Sequence, residues 1–153
     1  MGEVIKEIEN AIVTLKLKSD DIRLLEGESG VRVFKDLENH FVKSKNKRWW
    51  WEDFRQQSFS FKDSENQQIE LLNKLIPDLS EKVWLMAEDD DEEFFPIFET
   101  RPTIIKDILV ECFAFEYYII DKKKEWLLCE NHHNRFIGIG DKLKIKNLDR
   151  IIF

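Results

Sequence analysis

The chain has 153 residues, the length of one ordinary domain, and 42% hydrophobic with 12% aromatic residues, a composition that excludes a disordered protein. Its 31 acidic and 24 basic residues give a formal charge of -7, so the averaged field repels nucleic acid and anionic membranes and attracts basic partners. We therefore expect a single domain over residues 1–153 that binds neither nucleic acid nor a membrane.

The cysteines and the length of the apolar runs indicate where in the cell the protein resides. Cys112 and Cys129 are the only two cysteines, and each stands in an apolar context typical of a buried, inert thiol. A reducing cytoplasm is the simplest setting for such residues. No run approaches the roughly 20 apolar residues that span a bilayer, and no signal-peptide core follows Met1. The expectation is a soluble cytoplasmic protein, and no phosphate-binding loop or other cofactor motif is present.

Apolar residues spaced three and four apart predict helices in the N-terminal half. The first covers residues 3–18, and the second covers about 30–43. A third begins at Ser64-Glu65-Asn66-Gln67, which matches a capping box, and stops at Pro77. After Pro77 the apolar runs become short, which is typical of strands.

The second half predicts a sheet with one helix inserted. Strands are expected at residues 83–87, 94–98, 115–120, 126–130 and 135–139, with a further candidate at 58–62. The continuous apolar run at 83–87 indicates a central strand covered on both faces, whereas Pro96 makes its partner an edge or bulged strand. Pro102 suits the first turn of a crossover helix that ends near Cys112.

This order of elements predicts an α+β domain. Its sheet would be antiparallel or mixed, with about five strands, N-terminal helices and one crossover helix. Residues 142–153 fit a strand in one part and a helix in another, so both interpretations stay open there.

Two loops hold most of the residues that can bind metal, move protons or meet a charged partner. One is the acidic run Asp89-Asp90-Asp91-Glu92-Glu93, and the other is the turn at 131–134, where His132 and His133 follow Glu130. We call Asp89 to Glu93, Glu130, His132 and His133 together the acidic rim.

The topology decides whether this rim exists. If strands 83–87 and 94–98 form a hairpin, and the crossover helix makes strand 115–120 run parallel to 94–98, both loops emerge at the same edge of the sheet. Loops at opposite ends would rule the rim out.

Three chemical interpretations compete for these residues. Two imidazoles with Glu130 are a normal set of ligands for a divalent metal, although adjacent histidines at a hairpin tip more often hydrogen-bond the turn. His132 or His133 can instead act as a general base oriented by Glu130 or Asp91. The acidic run is most simply a solvated loop or a surface for a basic partner.

A third feature is the run Trp49-Trp50-Trp51, which follows the bases Lys47 and Arg48. Aromatic residues beside bases can stack on single-stranded nucleic acid. Because the net charge is negative and the three tryptophans are contiguous, a core anchor beside a basic turn is the favoured interpretation.

Several segments of the C-terminal half resemble those of a known protein family. The segments Lys82-Val83-Trp84, Glu88-Asp89, Phe115-Glu116-Tyr117-Tyr118-Ile119 and Trp126 to His133 resemble a family of small bacterial proteins without assigned function, over roughly residues 82–140. In size, charge and lack of a catalytic signature, the chain also looks like the small acidic immunity proteins that neutralise polymorphic toxins. Neither likeness assigns a role to any residue.

The leading hypothesis is a non-enzymatic, immunity-like inhibitor that presents the acidic rim to a basic protein partner, such as a toxin. Asp89, Asp90, Asp91, Glu92 and Glu93 would supply the charge, with Glu130, His132 and His133 as lesser contacts. The alternative is a metal-dependent hydrolase or metal-binding domain that uses Glu130, His132 and His133.

Overall fold

The computed structural model describes residues 2–45, 48–62 and 68–143. Within these ranges the chain forms four α-helices and one seven-stranded antiparallel sheet. The helices are α1 (Glu3–Thr14), α2 (Gly27–Phe41), α3 (Gln68–Leu75) and α4 (Ile105–Glu111). The strands are β1 (Ile22–Leu24), β2 (Phe59–Lys62), β3 (Val83–Ala87), β4 (Ile97–Thr100), β5 (Tyr117–Asp121), β6 (Leu127–Glu130) and β7 (Arg135–Ile139). The predicted α+β class is confirmed, and of the two predicted sheet types the antiparallel one is present.

The strand order is β1-β4-β3-β5-β6-β7-β2, so β3 lies between β4 and β5. Both neighbours run antiparallel to β3 and therefore parallel to each other. A single 3-10 turn, Pro102–Ile104, leads into α4, which connects β4 to β5. The predicted hairpin and the predicted direction of strand 115–120 are thus confirmed.

Each face of the sheet is covered by its own hydrophobic core. Helices α1, α3 and α4 pack on one face, and α2 with Trp50 packs on the other. Side chains alternate between the two cores along β5, with Tyr117 and Ile119 on the first and Tyr118 and Ile120 on the second. Because both faces are buried, the strands are continuously apolar instead of alternating with polar residues.

The predicted strand count was too low. β1 is only three residues long, too short to show an alternating pattern, and it pairs with β4. The candidate at 58–62 is a real strand, β2, which pairs with β7 at one edge. The prediction of an edge or bulged strand at 94–98 was wrong, because β4 begins at Ile97, lies inside the sheet and pairs with β3 in an unbroken register. Pro96 precedes β4, where no N–H is needed, and its carbonyl accepts a hydrogen bond from Ala87 at 3.2 Å.

The helices differ from prediction mainly at their ends. α1 stops at Thr14 instead of residue 18, and α2 begins at Gly27 rather than near residue 30. The proposed capping box before α3 and most of the 142–153 segment lie outside the described residues. In the described part of the chain, no helix combines the length and the apolar character that crossing a membrane requires.

Candidate functional site: an acidic rim at one end of the sheet

The two loops of the acidic rim emerge at the same end of the sheet. Ala87, the last residue of β3, is opposite Tyr117 at the start of β5. Tyr117 is in turn opposite Glu130, the last residue of β6. The loop that follows β3 and the turn that follows β6 therefore leave the sheet side by side, as the sequence predicted.

Part of the acidic run holds the N-terminus of α1. The buried Asp89 carboxylate accepts hydrogen bonds from the backbone N–H groups of Val4 at 3.1 Å and Ile5 at 3.3 Å. Glu92 accepts one from the Gly2 N–H at 2.9 Å. These carboxylates satisfy N–H groups that the first helical turn leaves unpaired and lie at the positive end of the helix dipole. Asp89, which is 1% exposed, is thus a capping residue and not a surface group.

The remaining acids of the run face outward. Asp90, Asp91 and Glu93 are exposed. Asp90 forms an ion pair of 2.6 Å with Arg48, whose guanidinium also lies 3.3 Å from the Glu88 carboxylate. Arg48 therefore links the tryptophan turn to the acidic loop.

The carboxyl group of Glu88, which pairs with Arg48, also shares a hydrogen bond with the carboxyl group of Glu116. Burial, together with the hydrogen bond and the charge of Glu116, raises the pKa of Glu88 to about 8, and Arg48 only partly offsets this. Burial alone would raise the pKa of Glu116, but hydrogen bonds from Glu88, His132 and Trp51 together lower it. The two carboxyl groups therefore titrate as a pair, with the first proton retained to a higher pH than an isolated carboxyl group would retain it.

His132 lies at the centre of an aromatic cluster on the rim. Its ring nitrogen Nδ1 and its backbone N–H both contact the Glu116 carboxylate. Its ring centroid is 5.3 Å from Trp49, 5.8 Å from Trp51 and 4.0 Å from His133. The Trp51 indole N–H also donates to Glu116 at 3.3 Å. Carboxylate, imidazole and indole groups from three distant segments therefore meet here.

Sequence reasoning missed three members of this arrangement: Arg48, Glu88 and Glu116. The available signal was Glu116 itself, a single acid between Phe115 and Tyr117 in an otherwise apolar stretch, since a buried carboxyl group needs partners. The core anchor predicted within the tryptophan run is present, because Trp50 is fully buried in the core formed with α2.

The turn between β6 and β7 is held by Asn131 rather than by the histidine pair. The Asn131 side-chain oxygen accepts hydrogen bonds from the backbone N–H groups of His133 at 3.0 Å and Arg135 at 3.2 Å. Asn134 takes the left-handed conformation, with φ of 58°. Both histidine side chains are exposed on the rim.

Glu130 points away from the histidines. Its carboxylate accepts a hydrogen bond of 2.7 Å from the Tyr117 hydroxyl, while His132 contacts Glu116. Across the described ranges, no three His, Cys, Asp or Glu side chains are grouped so that they could hold a metal ion. Glu130 and His132 therefore have different partners.

Fold and site together define a small α+β protein that concentrates carboxylates and aromatic rings at one end of an antiparallel sheet. A family model matches residues 2–149, and the chain belongs to the family of unknown function DUF6756. The resemblance to a family of unassigned function is thereby confirmed, and the match extends well beyond residues 82–140. No curated protein and no solved structure is significantly similar to the chain.

Proposed function

We propose that this chain is a non-enzymatic, immunity-like inhibitor that uses the acidic rim to bind a basic surface of a protein partner. The supporting observation is that the acidic loop, with its exposed Asp90, Asp91 and Glu93, and the histidine turn share one end of the sheet. The negative field of exposed carboxylates accelerates association with a positively charged partner such as a toxin that acts on nucleic acid.

The rim also offers the residue types that dominate protein interfaces. Trp49 and Trp51 are half-buried, and His132 and His133 are exposed beside them. Partly exposed tryptophans surrounded by charged groups are typical of interface anchors, because they bury a large area at a low entropic cost. In this proposal Asp90, Asp91 and Glu93 contact the partner, while Asp89 and Glu92 add charge and keep α1 in place.

The test begins with the protein encoded by the neighbouring reading frame, where the partner of an immunity protein is expected. Stopped-flow association with that protein compares the wild type with the triple variant Asp90→Asn, Asp91→Asn, Glu93→Gln. At low salt, the association rate constant of the variant should fall by about tenfold or more, because electrostatic steering is lost. The wild-type rate should also decrease with ionic strength.

A second triple variant makes the same change of charge at exposed acids outside the rim, namely Glu28→Gln, Glu81→Gln and Glu111→Gln. It should keep most of the wild-type rate constant. Equal losses in both triple variants would show that only net charge matters and not the rim. An unchanged rate in the rim variant, or a wild-type rate independent of salt, would contradict the proposal.

A further inference from the structure

A second feature of this end of the protein is a cleft between the helices and the sheet. It has a volume of about 500 Å³, within the range of small-molecule sites. One wall comes from α3 and α4, and the other comes from residues 113–117 and the end of β6 with its turn. The function proposed above does not use most of this cleft.

The helix side of the cleft is apolar and reaches solvent. Val110 on α4 is 63% exposed, and Phe113, just after that helix, is 52% exposed. Leu109, Ile69 and Phe115 extend the apolar wall inward. Large exposed hydrophobic side chains that border a cavity are the common mark of a ligand site.

The opposite end of the cleft is polar and acidic. Glu116, Glu130 and the buried Asn131 line it, and Glu70 stands at the α3 side. Among the described residues that line the cleft there is no lysine or arginine. The cleft therefore complements a cation and not an anion.

Glu130 is the carboxylate best placed to receive that cation. Glu70 already forms an ion pair of 2.7 Å with Lys106, and Glu116 is in contact with His132. Within the described part of the chain, the hydrogen bond given to the Glu130 carboxylate comes from the neutral Tyr117 hydroxyl. A half-buried carboxylate without a cationic partner gains the most when an ammonium group arrives.

We propose that this cleft binds a small organic cation, a primary amine carried on an aromatic or branched hydrophobic body. The hydrophobic body packs against Val110, Phe113 and Leu109, and the ammonium group donates hydrogen bonds to Glu130. The apolar wall and the carboxylate thus select for two different parts of the same ligand.

Heteronuclear NMR titration tests this with three probes of similar size: phenethylamine, 2-phenylethanol and 3-phenylpropionate. Phenethylamine should shift the amide signals of the cleft residues with a dissociation constant on the order of 1 mM, as expected for a ligand of this size. The neutral alcohol should bind about tenfold more weakly, and the carboxylate should not bind. Equal affinity for the amine and the alcohol would overturn the proposal.

Three variants separate the two parts of the site. Glu130→Gln keeps a hydrogen-bond acceptor for Tyr117, and it should lower the affinity for the amine to that for the alcohol without changing the latter. Val110→Ser should weaken the binding of both the amine and the alcohol. Val13→Ser alters another exposed helical valine, 75% exposed on α1 and outside the cleft, and should leave both affinities unchanged.

A short peptide with adjacent phenylalanine and lysine residues serves as a fourth probe. If this peptide binds the cleft and phenethylamine does not, the occupant is a side chain of a protein partner and the small-molecule proposal is wrong. An unchanged affinity for phenethylamine in Glu130→Gln would also contradict it.

Discussion

The carboxylate of Asp89 accepts a hydrogen bond of 3.1 Å from the backbone N–H of Val4, which lies 85 residues earlier in the chain. Through this contact, and a second one to Ile5, the loop that looks most like a solvated charge run is anchored to the first helix. A residue predicted to meet a partner is therefore the one that orients the rest of the acidic loop.

Removal of this carboxylate should destabilise the fold. Asp89→Ala leaves two buried N–H groups of α1 without an acceptor, and the free energy of unfolding should fall by about 2 kcal/mol. Asp89→Asn keeps an acceptor but loses the charge at the helix N-terminus, so its loss should be about 1 kcal/mol. Urea unfolding monitored by tryptophan fluorescence measures both values. Glu93→Gln, at an exposed acid of the same loop, should stay within about 0.5 kcal/mol of wild type.

The carboxyl pair should make stability depend on pH. The pKa of Glu88 is about 8 in the folded protein and returns to its ordinary value of 4.5 on unfolding. Between these values the folded state holds a proton that the unfolded chain has released, so the free energy of unfolding should decrease as pH rises from about 4.5 to about 8. Above that window both states have lost the proton, and Glu88 makes no further contribution to the slope.

Urea unfolding at pH 6 and pH 9 measures this decrease. Glu88→Gln removes the titrating proton and keeps a donor for Glu116, so its decrease should be clearly smaller than that of the wild type. Glu81→Gln, at an exposed acid outside the pair, should retain the full decrease. The same slope in wild type and Glu88→Gln would show that the pair shares no proton at neutral pH.

The three consecutive tryptophans should differ sharply in their effect on stability. Trp50 is fully buried, with its ring centroid 5.4 Å from Phe34 and 5.5 Å from Tyr118. Trp50→Ala should lower the free energy of unfolding by about 3–5 kcal/mol, because it leaves a large cavity. Trp50→Phe should cost less and provides a folded variant to measure. Trp49→Ala, at a half-buried site on the rim, should lower the free energy of unfolding less than either Trp50 variant does.

Gly140 should not tolerate a side chain. It has φ of +105°, and an added Cβ would lie 3.0 Å from Cα of Trp126 and still closer to the Glu125 carbonyl oxygen. Gly140→Ala should therefore lower the free energy of unfolding, measured by heat or urea, by at least about 2 kcal/mol.

Gly27→Ala is the control for backbone strain without a clash. Gly27 also has positive φ, +59°, but an added Cβ would meet nothing within 4 Å. Its cost should be about 1 kcal/mol, the strain of a left-handed residue alone. Equal losses at the two glycines would mean that the contact with the Glu125–Trp126 segment relaxes freely.

The sequence by itself determined the class of the fold and the position of the two loops. Helical spacing in α1 and α2, the apolar run of β3 and the short strands after it are local patterns, and local patterns are what a sequence displays directly. If the crossover through α4 made strand 115–120 parallel to 94–98, strand direction alone then placed both loops at the same end of the sheet. The prediction that β4 lies at an edge was wrong because β1 covers that edge. Three residues are too few to show from sequence that β1 is a strand or that it pairs with residues 76 positions away.

Only the tertiary structure decided what each carboxylate does. Asp89 and Asp90 are adjacent in sequence, yet the first is buried against α1 and the second is paired with Arg48 at the surface. Glu116 was predicted only as one residue of the strand at 115–120, whereas in the structure it contacts Glu88, His132 and Trp51. Burial and the identity of partners decide whether an acid caps a helix, shares a proton or faces a ligand. Those properties depend on segments far apart in the chain, so they exist only once the chain has folded.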